Sequence, residues 1–243
     1  MRVVLLDIEG TTTPISFVYD VLFPYARKRM HAYVRAQIER PAFASIFEAL
    51  QAESAQEHRA DASAPSLHDA EPKEAFSDRV AEFALWLMDQ DRKSTPLKEM
   101  QGQIWEAGYT SGEIQGVVYP DVLDAMKRWH NAGVRIAIYS SGSVHAQKLI
   151  FGYADLGDLR PWIDAYFDTT TGPKKEATSY TSIAQALDVP PHDILFLSDN
   201  PEELAAADAA GVHVRLAVRP GNAPVPDAAY PRIEKFTHEA LGV

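Results

Sequence analysis

Four short clusters of polar residues carry the groups in this 243-residue chain that are suited to chemistry. Residues 7–12 are DIEGTT, residues 140–143 are SSGS, residues 172–175 are GPKK and residues 198–200 are SDN. Together they offer carboxylates, hydroxyl groups, glycine-containing turns and lysine. This combination is typical of sites that bind a cation and a phosphate group together. The clusters therefore predict chemistry on a phosphorylated ligand.

Carboxylates are the first requirement for the cation. Asp7, Glu9 and Asp199 would crowd several negative charges into one pocket if the strands before them are neighbours, and a cation relieves such crowding. The chain has no cysteine, so its ligands must be oxygen or nitrogen atoms. Hard oxygen ligands suit Mg²⁺, which usually takes one or two carboxylates with water and substrate phosphate oxygens. Mg²⁺ is therefore the expected cofactor.

The phosphate would be held by the other two clusters. Residues 140–143 can present hydroxyl and backbone N–H donors at the start of a helix, and Lys174 can add a positive point charge. A net charge of −11 makes such a local positive field necessary for an anionic substrate. The same acidic balance argues against nucleic acid or an anionic membrane surface as a partner.

Each cluster also has a plain structural explanation. Asp7, Ser141 and Asp199 could be turn or N-cap residues, because such side chains accept hydrogen bonds from the first N–H groups of a helix. Lys174 alone could be a solvated helix residue, and the glutamates at 202–203 could lie in the first turn of a helix. The occurrence of all four clusters after predicted strands favours a functional site.

Five apolar runs predict the strands that position these clusters. Several are nearly continuous in Val, Ile, Leu and Phe, as in parallel sheets covered on both faces by helices, and helix-like segments separate the later ones. We therefore expect an α/β fold with a doubly wound, parallel, five-stranded sheet. Ligands bind at the carboxyl edge of such sheets, where three of the clusters fall. The predicted strands are residues 3–8, 135–139, 164–167, 194–197 and 212–218.

The interval between the first two predicted strands is far longer than the dozen or so residues that a βαβ crossover needs. Apolar residues in it recur at i, i+3, i+4 and i+7, which predicts a small helical bundle. The expected domains are an α/β core of residues 1–14 and 117–243 and a helical cap of residues 15–116. Residues 53–74 lack the apolar pattern and are expected to be a mobile connection. No apolar run approaches the length of a membrane span, and we expect a cytoplasmic, monomeric protein.

At these residues the sequence resembles the haloacid dehalogenase superfamily of phosphotransferases, and more closely the enolase-phosphatases of methionine salvage. The likeness covers nearly the whole chain apart from residues 53–74. It is carried by residues 7–18 (DIEGTTTPISFV), 139–143 (YSSGS) and 218–223 (VRPGNA), with 91–95 (DRKST) and 101–109 (QGQIWEAGY) in the insertion.

The resemblance implies a role for each candidate residue. Asp7 would be the nucleophile and a metal ligand, and Asp199 would complete the metal site. Glu9 would be the general acid and base and a further metal ligand. Most superfamily members have Asp two positions after the nucleophile, so Glu9 is a departure whose longer arm could reach a carbon acid as well as a leaving oxygen. The phosphate-binding residues would be Ser140, Ser141 and Lys174.

The implied substrate is 2,3-diketo-5-methylthiopentyl-1-phosphate, which would be enolised and then dephosphorylated to the acireductone through an aspartyl-phosphate formed on Asp7. The base for enolisation is left open between Glu9 and a group from the cap. Lys174 is preferred to Lys175 because this family has its lysine two residues after the glycine.

Three other functions fit parts of the pattern. The core motifs alone would permit a phosphatase of the same superfamily that acts on another small phosphate monoester. A receiver-type phosphorylation switch also combines acidic residues, a hydroxyl group and a lysine, but by family resemblance it carries its Asp on a middle strand and lacks a large insertion. A serine hydrolase using Ser141 or Ser143 would need a G-x-S-x-G elbow, which residues 139–143 do not match. A Mg²⁺-dependent phosphoric monoester hydrolase is therefore expected.

Overall fold

The chain is divided into two compact units in a computed structural model that describes residues 1–67, 73–225 and 230–237. One unit consists of Met1–Asp20 and Gly112–Val243, and the other is Val21–Ser111. We call them the sheet unit and the helical unit. The expected insertion was 15–116, whereas the structure groups residues 15–20 and 112–116 with the sheet. That the helical unit acts as a cap stays a prediction.

Within the described residues, the helical unit contains four α-helices. Helix α1 packs against α3 and α4, and α2 packs against α4. Their buried faces include Met30 of α1, Leu50 of α2, Phe83 of α3 and Met100 of α4, each fully buried. The apolar spacing that predicted a helical bundle therefore marks the faces that pack together. The bounds are α1 (Phe23–Gln37), α2 (Ala44–Ala60), α3 (Lys73–Asp89) and α4 (Thr95–Ser111).

The sheet unit is built on a parallel sheet with the strand order β3-β2-β1-β4-β5-β6. All five predicted strands are present, and β1 lies between β2 and β4. The sixth strand was not predicted, because two residues are too few to show a periodic pattern. The strands are β1 (Val3–Leu6), β2 (Arg135–Tyr139), β3 (Ala165–Phe167), β4 (Ile194–Ser198), β5 (His213–Ala217) and β6 (Arg232–Ile233).

Helices cover this sheet as a doubly wound fold requires. Every residue of β1 is fully buried. Val3 and Leu5 belong to an apolar core with Tyr180 and Leu204 from two covering helices, and alternation along the strand turns Val4 and Leu6 to the opposite face. The near-continuous apolar runs follow from burial on both faces. The helices of this unit are α5 (Asp121–Asn131), α6 (Val144–Gly152), α7 (Ala177–Ala186) and α8 (Pro201–Ala209).

The expected mobile connection at 53–74 is wrong at both ends, because residues 53–60 belong to α2 and residues 73–74 to α3. Residues 53–60 form the end of α2, where Ala, Glu, Gln and Arg favour a helix without an apolar pattern. The chain then turns back, because Ser54 Oγ donates to the Pro65 carbonyl at 2.9 Å and accepts from Leu67 N at 3.1 Å. Residues 68–72 lie outside the described residues. None of the helices in the described ranges is long and apolar enough to cross a membrane.

Candidate active site

The carboxyl ends of β1 and β4 bring the first and fourth polar clusters together. These strands are neighbours, with Leu6 opposite Leu197, and the Asp7 N–H donates to the Leu197 carbonyl at 3.0 Å. Asp7 is 5% exposed, whereas Glu9 and Asp199 are half-buried. The neighbouring strands on which the charge-crowding argument depended are confirmed.

A tight turn follows Asp7 and sets the direction of its side chain. The Ile8 carbonyl accepts from the N–H groups of residues 11, 12 and 13 at 2.9–3.2 Å, and Thr12 Oγ1 donates to the Asp7 carbonyl at 3.1 Å. Gly10 has a φ of +66°, and a Cβ there would lie 2.2 Å from Asp199 Oδ2. Glycine is required here, because any side chain would be strained and would collide with that carboxylate. We call residues 7–13, which contain the predicted nucleophile Asp7, the nucleophile loop.

Lys174 joins the third cluster to the first. Its Nζ lies 2.6 Å from Asp7 Oδ1 and 2.6 Å from Glu203 Oε2, and its side chain is 6% exposed. Lys175 is exposed and pairs with Glu202. The structure therefore brings only the first of the two lysines to the buried carboxylates.

Three hydroxyl groups hold the segment that carries Lys174. Tyr139 donates to the Gly172 carbonyl at 2.8 Å, Ser179 to the Pro173 carbonyl at 2.7 Å and Tyr180 to the Lys174 carbonyl at 2.7 Å. Successive carbonyls are thus fixed by side chains of β2 and α7. A buried charge positioned in this way needs little rearrangement to meet a phosphate.

The charges at this edge perturb one another. Burial, and then the negative charges of Asp7 and Glu203, raise the pKa of Asp199 to about 7, with Glu9 adding to the effect. Burial by itself lowers the pKa of Lys174, but the carboxylates of Asp7 and Glu203 outweigh it and raise that pKa above its ordinary value. Burial and the nearby Asp7 charge also raise the pKa of Glu203. Lys174 is therefore a cation at neutral pH in a pocket with surplus negative charge.

The serine cluster forms the loop between β2 and α6. Ser140 is buried, and its Oγ accepts from Gly142 N at 3.2 Å. Ser141 is exposed. The N-cap of α6 is Ser143, whose Oγ accepts from Ala146 N at 3.2 Å. Ser141 is thus not the N-cap of α6, which was one of its two structural explanations.

Asn200, rather than Asp199, caps the helix that follows β4. It is the N-cap of α8, with its Oδ1 accepting from Glu202 N at 2.9 Å. Asp199 is therefore not the cap and lies one residue earlier, at the strand end beside Gly10.

A hard cation fits the oxygen atoms gathered here. Asp199 Oδ2 and Asn222 Oδ1 both lie near the same side of Gly10, and Asn222 Oδ1 is buried with no hydrogen-bond partner among the described residues. The described ranges contain no group of three or more His, Asp or Glu residues that could hold a metal. Mg²⁺ commonly needs only one or two carboxylates with water and phosphate oxygens. Asp7 and Asp199 fit that need, and the assignment of Asp7, Glu9 and Asp199 as metal ligands stays a prediction.

Glu203 was missed as a site residue. It lies in the first turn of α8, as expected, but it is buried, and Ser198 Oγ donates to its Oε2 at 2.9 Å. Ser198 also lies 3.4 Å from Asp7 Oδ2. The available signal was its position four residues after Asp199, because a first-turn residue of the helix that follows a site strand lies beside that strand's end.

The chain is similar to known proteins in sequence and in fold. The family model for haloacid dehalogenase-like hydrolases matches residues 1–211. The Enolase-phosphatase E1 of Synechococcus elongatus is 50% identical over 232 residues, which are 96% of this chain and 94% of that protein. The protein of the same name from Drosophila erecta is 48% identical over 227 residues, covering 93% and 86% of the two chains. The crystal structure of the UTR4 protein from Saccharomyces cerevisiae is 38% identical, with a TM-score of 0.77 and coverage of 96% and 97%.

The match of the family model to residues 1–211, together with the parallel α/β sheet, shows that the chain is a haloacid dehalogenase-like hydrolase. Identity near one half over almost the whole length then narrows the assignment. The chain belongs to the enolase-phosphatase family within that class.

Proposed function

We propose that this protein is an enolase-phosphatase that converts 2,3-diketo-5-methylthiopentyl-1-phosphate into the acireductone and phosphate in methionine salvage. Likeness to the Enolase-phosphatase E1 proteins over nearly the whole chain supports this substrate. The observation that carries the chemistry is the buried Asp7 carboxylate, held 2.6 Å from Lys174 at the sheet edge with Asp199 beside it. The expected cytoplasmic location and monomeric state stay predictions.

Asp7 is the proposed nucleophile for phosphate release. One of its carboxylate oxygens attacks phosphorus, and the bond from phosphorus to the enol oxygen breaks as an aspartyl-phosphate, an acyl phosphate, forms on Asp7. Lys174 offsets negative charge on the phosphoryl oxygens in this buried place, where such charge is poorly screened. Ser140 and Ser141 are the proposed further contacts to the phosphate.

Glu9 is the proposed acid and base. It donates its proton to the departing enol oxygen, and the resulting carboxylate then takes a proton from water. The water oxygen attacks phosphorus, the bond to Asp7 breaks, and phosphate leaves. Bound Mg²⁺, held by Asp7 and Asp199, would supply Lewis-acid stabilisation of charge on the phosphoryl and carbonyl oxygens. Glu9 is also our candidate for the base that removes the carbon proton during enolisation.

The decisive experiment separates the two reactions in Asp7→Asn. We expect phosphate release to be abolished while enolisation survives, so that the conjugated enol accumulates and is followed by ultraviolet absorbance and carbon NMR. Phosphate release at the wild-type rate, with mass spectrometry excluding deamidation back to Asp, would defeat the covalent mechanism.

Glu9→Gln tests the second role. Loss of both reactions is expected if Glu9 serves both steps, and loss of dephosphorylation alone would place the carbon base elsewhere.

A phosphate-release screen over small phosphorylated metabolites, with and without Mg²⁺, tests the substrate. A different preferred monoester would favour the broader phosphatase assignment.

A further inference from the structure

Residues 218–223 are a conspicuous sequence feature that the proposed chemistry does not use. In the structure they follow β5 and run beside the nucleophile loop. Asn222 Nδ2 donates to the Gly10 carbonyl at 2.9 Å, and Arg219 Nε donates to the Thr11 carbonyl at 2.9 Å. The backbone N–H of Tyr119 donates to the next carbonyl, that of Thr12, at 2.9 Å. Three successive carbonyls of the nucleophile loop are thus held from outside it.

The three donors form one connected assembly. Tyr119 donates its hydroxyl proton to the Pro220 carbonyl at 3.0 Å. The Arg219 guanidinium lies 4.7 Å from the centre of the Tyr119 ring and 4.1 Å from that of Phe236, and it pairs with Asp121 at 2.9 Å. Arg219 is 4% exposed, so this charge is buried among aromatic rings. The segment is therefore anchored firmly enough to fix the position of Asn222.

The two ends of the Asn222 amide have different surroundings. Nδ2 also lies 3.4 Å from the Ala217 carbonyl, so both of its contacts are acceptors, and exchanging the amide nitrogen and oxygen would place oxygen against two carbonyls. The orientation is thereby determined. Oδ1 must then point to the other side, where it has no donor among the described residues. A buried acceptor without a donor is unfavourable, and a ligand that donates a hydrogen bond to it would remove that penalty.

Asp199 identifies the ligand that would meet this oxygen. Asp199 Oδ2 and Asn222 Oδ1 lie 2.2 Å and 3.0 Å from the point that a Cβ of Gly10 would occupy. A donor placed beside both acceptor oxygens would satisfy them together. Water polarised by a divalent cation is a strong donor, and Mg²⁺ keeps several waters when it binds to one or two carboxylates.

We infer that Asn222 is a positioning residue of the metal site: its nitrogen fixes the Gly10 carbonyl, and its oxygen accepts a hydrogen bond from water of the hydrated Mg²⁺ ion bound by Asp199. This inference rests on the proposed function. Residues in this outer position orient the direct ligands, and their loss typically lowers metal affinity or activity by about 10- to 100-fold.

The test is calorimetric titration of Mg²⁺ alone into the full-length protein. Asn222→Ala removes both hydrogen bonds and is expected to weaken Mg²⁺ binding by about tenfold or more. Asn222→Asp keeps an acceptor oxygen and loses the amide donor, so it should bind Mg²⁺ at least as tightly as wild type while its metal-free thermal midpoint falls. Asn131→Ala is the control, because it removes an exposed amide at the far end of α5 and should change neither quantity.

The outcomes separate the inference from the proposed function. If wild type fails to bind Mg²⁺, the metal site itself is wrong. If wild type binds and Asn222→Ala binds equally well, the inference alone is overturned. Equal weakening in Asn222→Ala and Asn222→Asp would also overturn it, since the lost interaction would then be the Gly10 contact only. A parallel shift of the Mg²⁺ concentration needed for half-maximal phosphate release, with the KM for the diketone little changed, would support it.

Discussion

The two units of this protein place their charged side chains differently. In the sheet unit, Lys174 and Arg219 are 6% and 4% exposed. Lys174 meets two carboxylates, and Arg219 meets one carboxylate and two carbonyl oxygens. In the helical unit, the pair Arg27–Asp89 stands at the surface, with about half of each side chain exposed. Burying a charge costs several kcal/mol unless its partners are well placed, whereas a surface pair contributes little in either direction. We therefore infer that the buried charged residues of the sheet unit serve the chemistry or hold a loop in position.

Replacement of Lys174 should have the largest effect, and it should lower the rate of phosphate release. Lys174→Ala removes the cation beside Asp7, and we expect phosphate release to fall by about 10²- to 10³-fold, as when one stabilising donor is removed from an active site. Lys175→Ala removes an exposed lysine that pairs with Glu202 and should leave the rate within about twofold, as for an exposed ion pair. Steady-state phosphate release by the two variants measures the difference.

Folding must be controlled in this comparison, because Lys174→Ala also leaves two carboxylates without their cation. Circular dichroism and the thermal midpoint of each variant provide that control. Equal losses in the two folded variants, or a greater loss in Lys175→Ala, would show that the wrong lysine has been assigned to the phosphate.

Replacement of Arg219 should have the next largest effect, and it should lower the stability of the fold. Arg219→Met leaves Asp121 without its cationic partner, with only the Phe236 N–H still donating to it, and leaves the Thr11 carbonyl without its donor. We therefore expect the free energy of unfolding to fall by about 3 kcal/mol. The double variant with Asp121→Leu should recover part of this loss, because an apolar pair avoids the unpaired charge. Urea unfolding of both measures the change. A loss below about 1 kcal/mol would place this pair with ordinary surface pairs.

The pH dependence of Mg²⁺ binding should be smaller. Burial and neighbouring carboxylates raise the pKa of Asp199 to about 7, so protons compete with the cation for this group below that pH. Affinity should therefore fall as pH falls from 7 to 6, by up to roughly tenfold per unit, and should level off above pH 8. Calorimetry at several pH values tests this directly. Constant affinity from pH 6 to 8 would mean that Asp199 is ionised throughout.

The sheet and its carboxyl edge were predictable from the sequence because both depend on local patterns. Continuous apolar runs gave the strands, and the polar residues that end three of them fell at one edge, as parallel strands require. Glu203 and Asn222 were not predictable in the same way. Their importance depends on contacts with Lys174 and Gly10, which lie 29 and 212 residues away in the chain. Residues 53–60 were misjudged because intrinsic helix propensity, rather than an apolar face, forms the end of α2.

The smallest effect is expected at the surface of the helical unit. Arg27 of α1 and Asp89 at the end of α3 are about half exposed, so water screens their attraction and two flexible side chains must be ordered for them to meet. A double-mutant cycle with Arg27→Ala and Asp89→Ala should give a coupling free energy of about 0.5 kcal/mol in urea unfolding. High salt should reduce this coupling further, whereas the buried Arg219 pair should respond much less. A coupling at Arg27–Asp89 as large as the Arg219 effect would mean that exposure does not separate the two kinds of charge. Burial of Lys174 would then no longer be a reason to assign it a function.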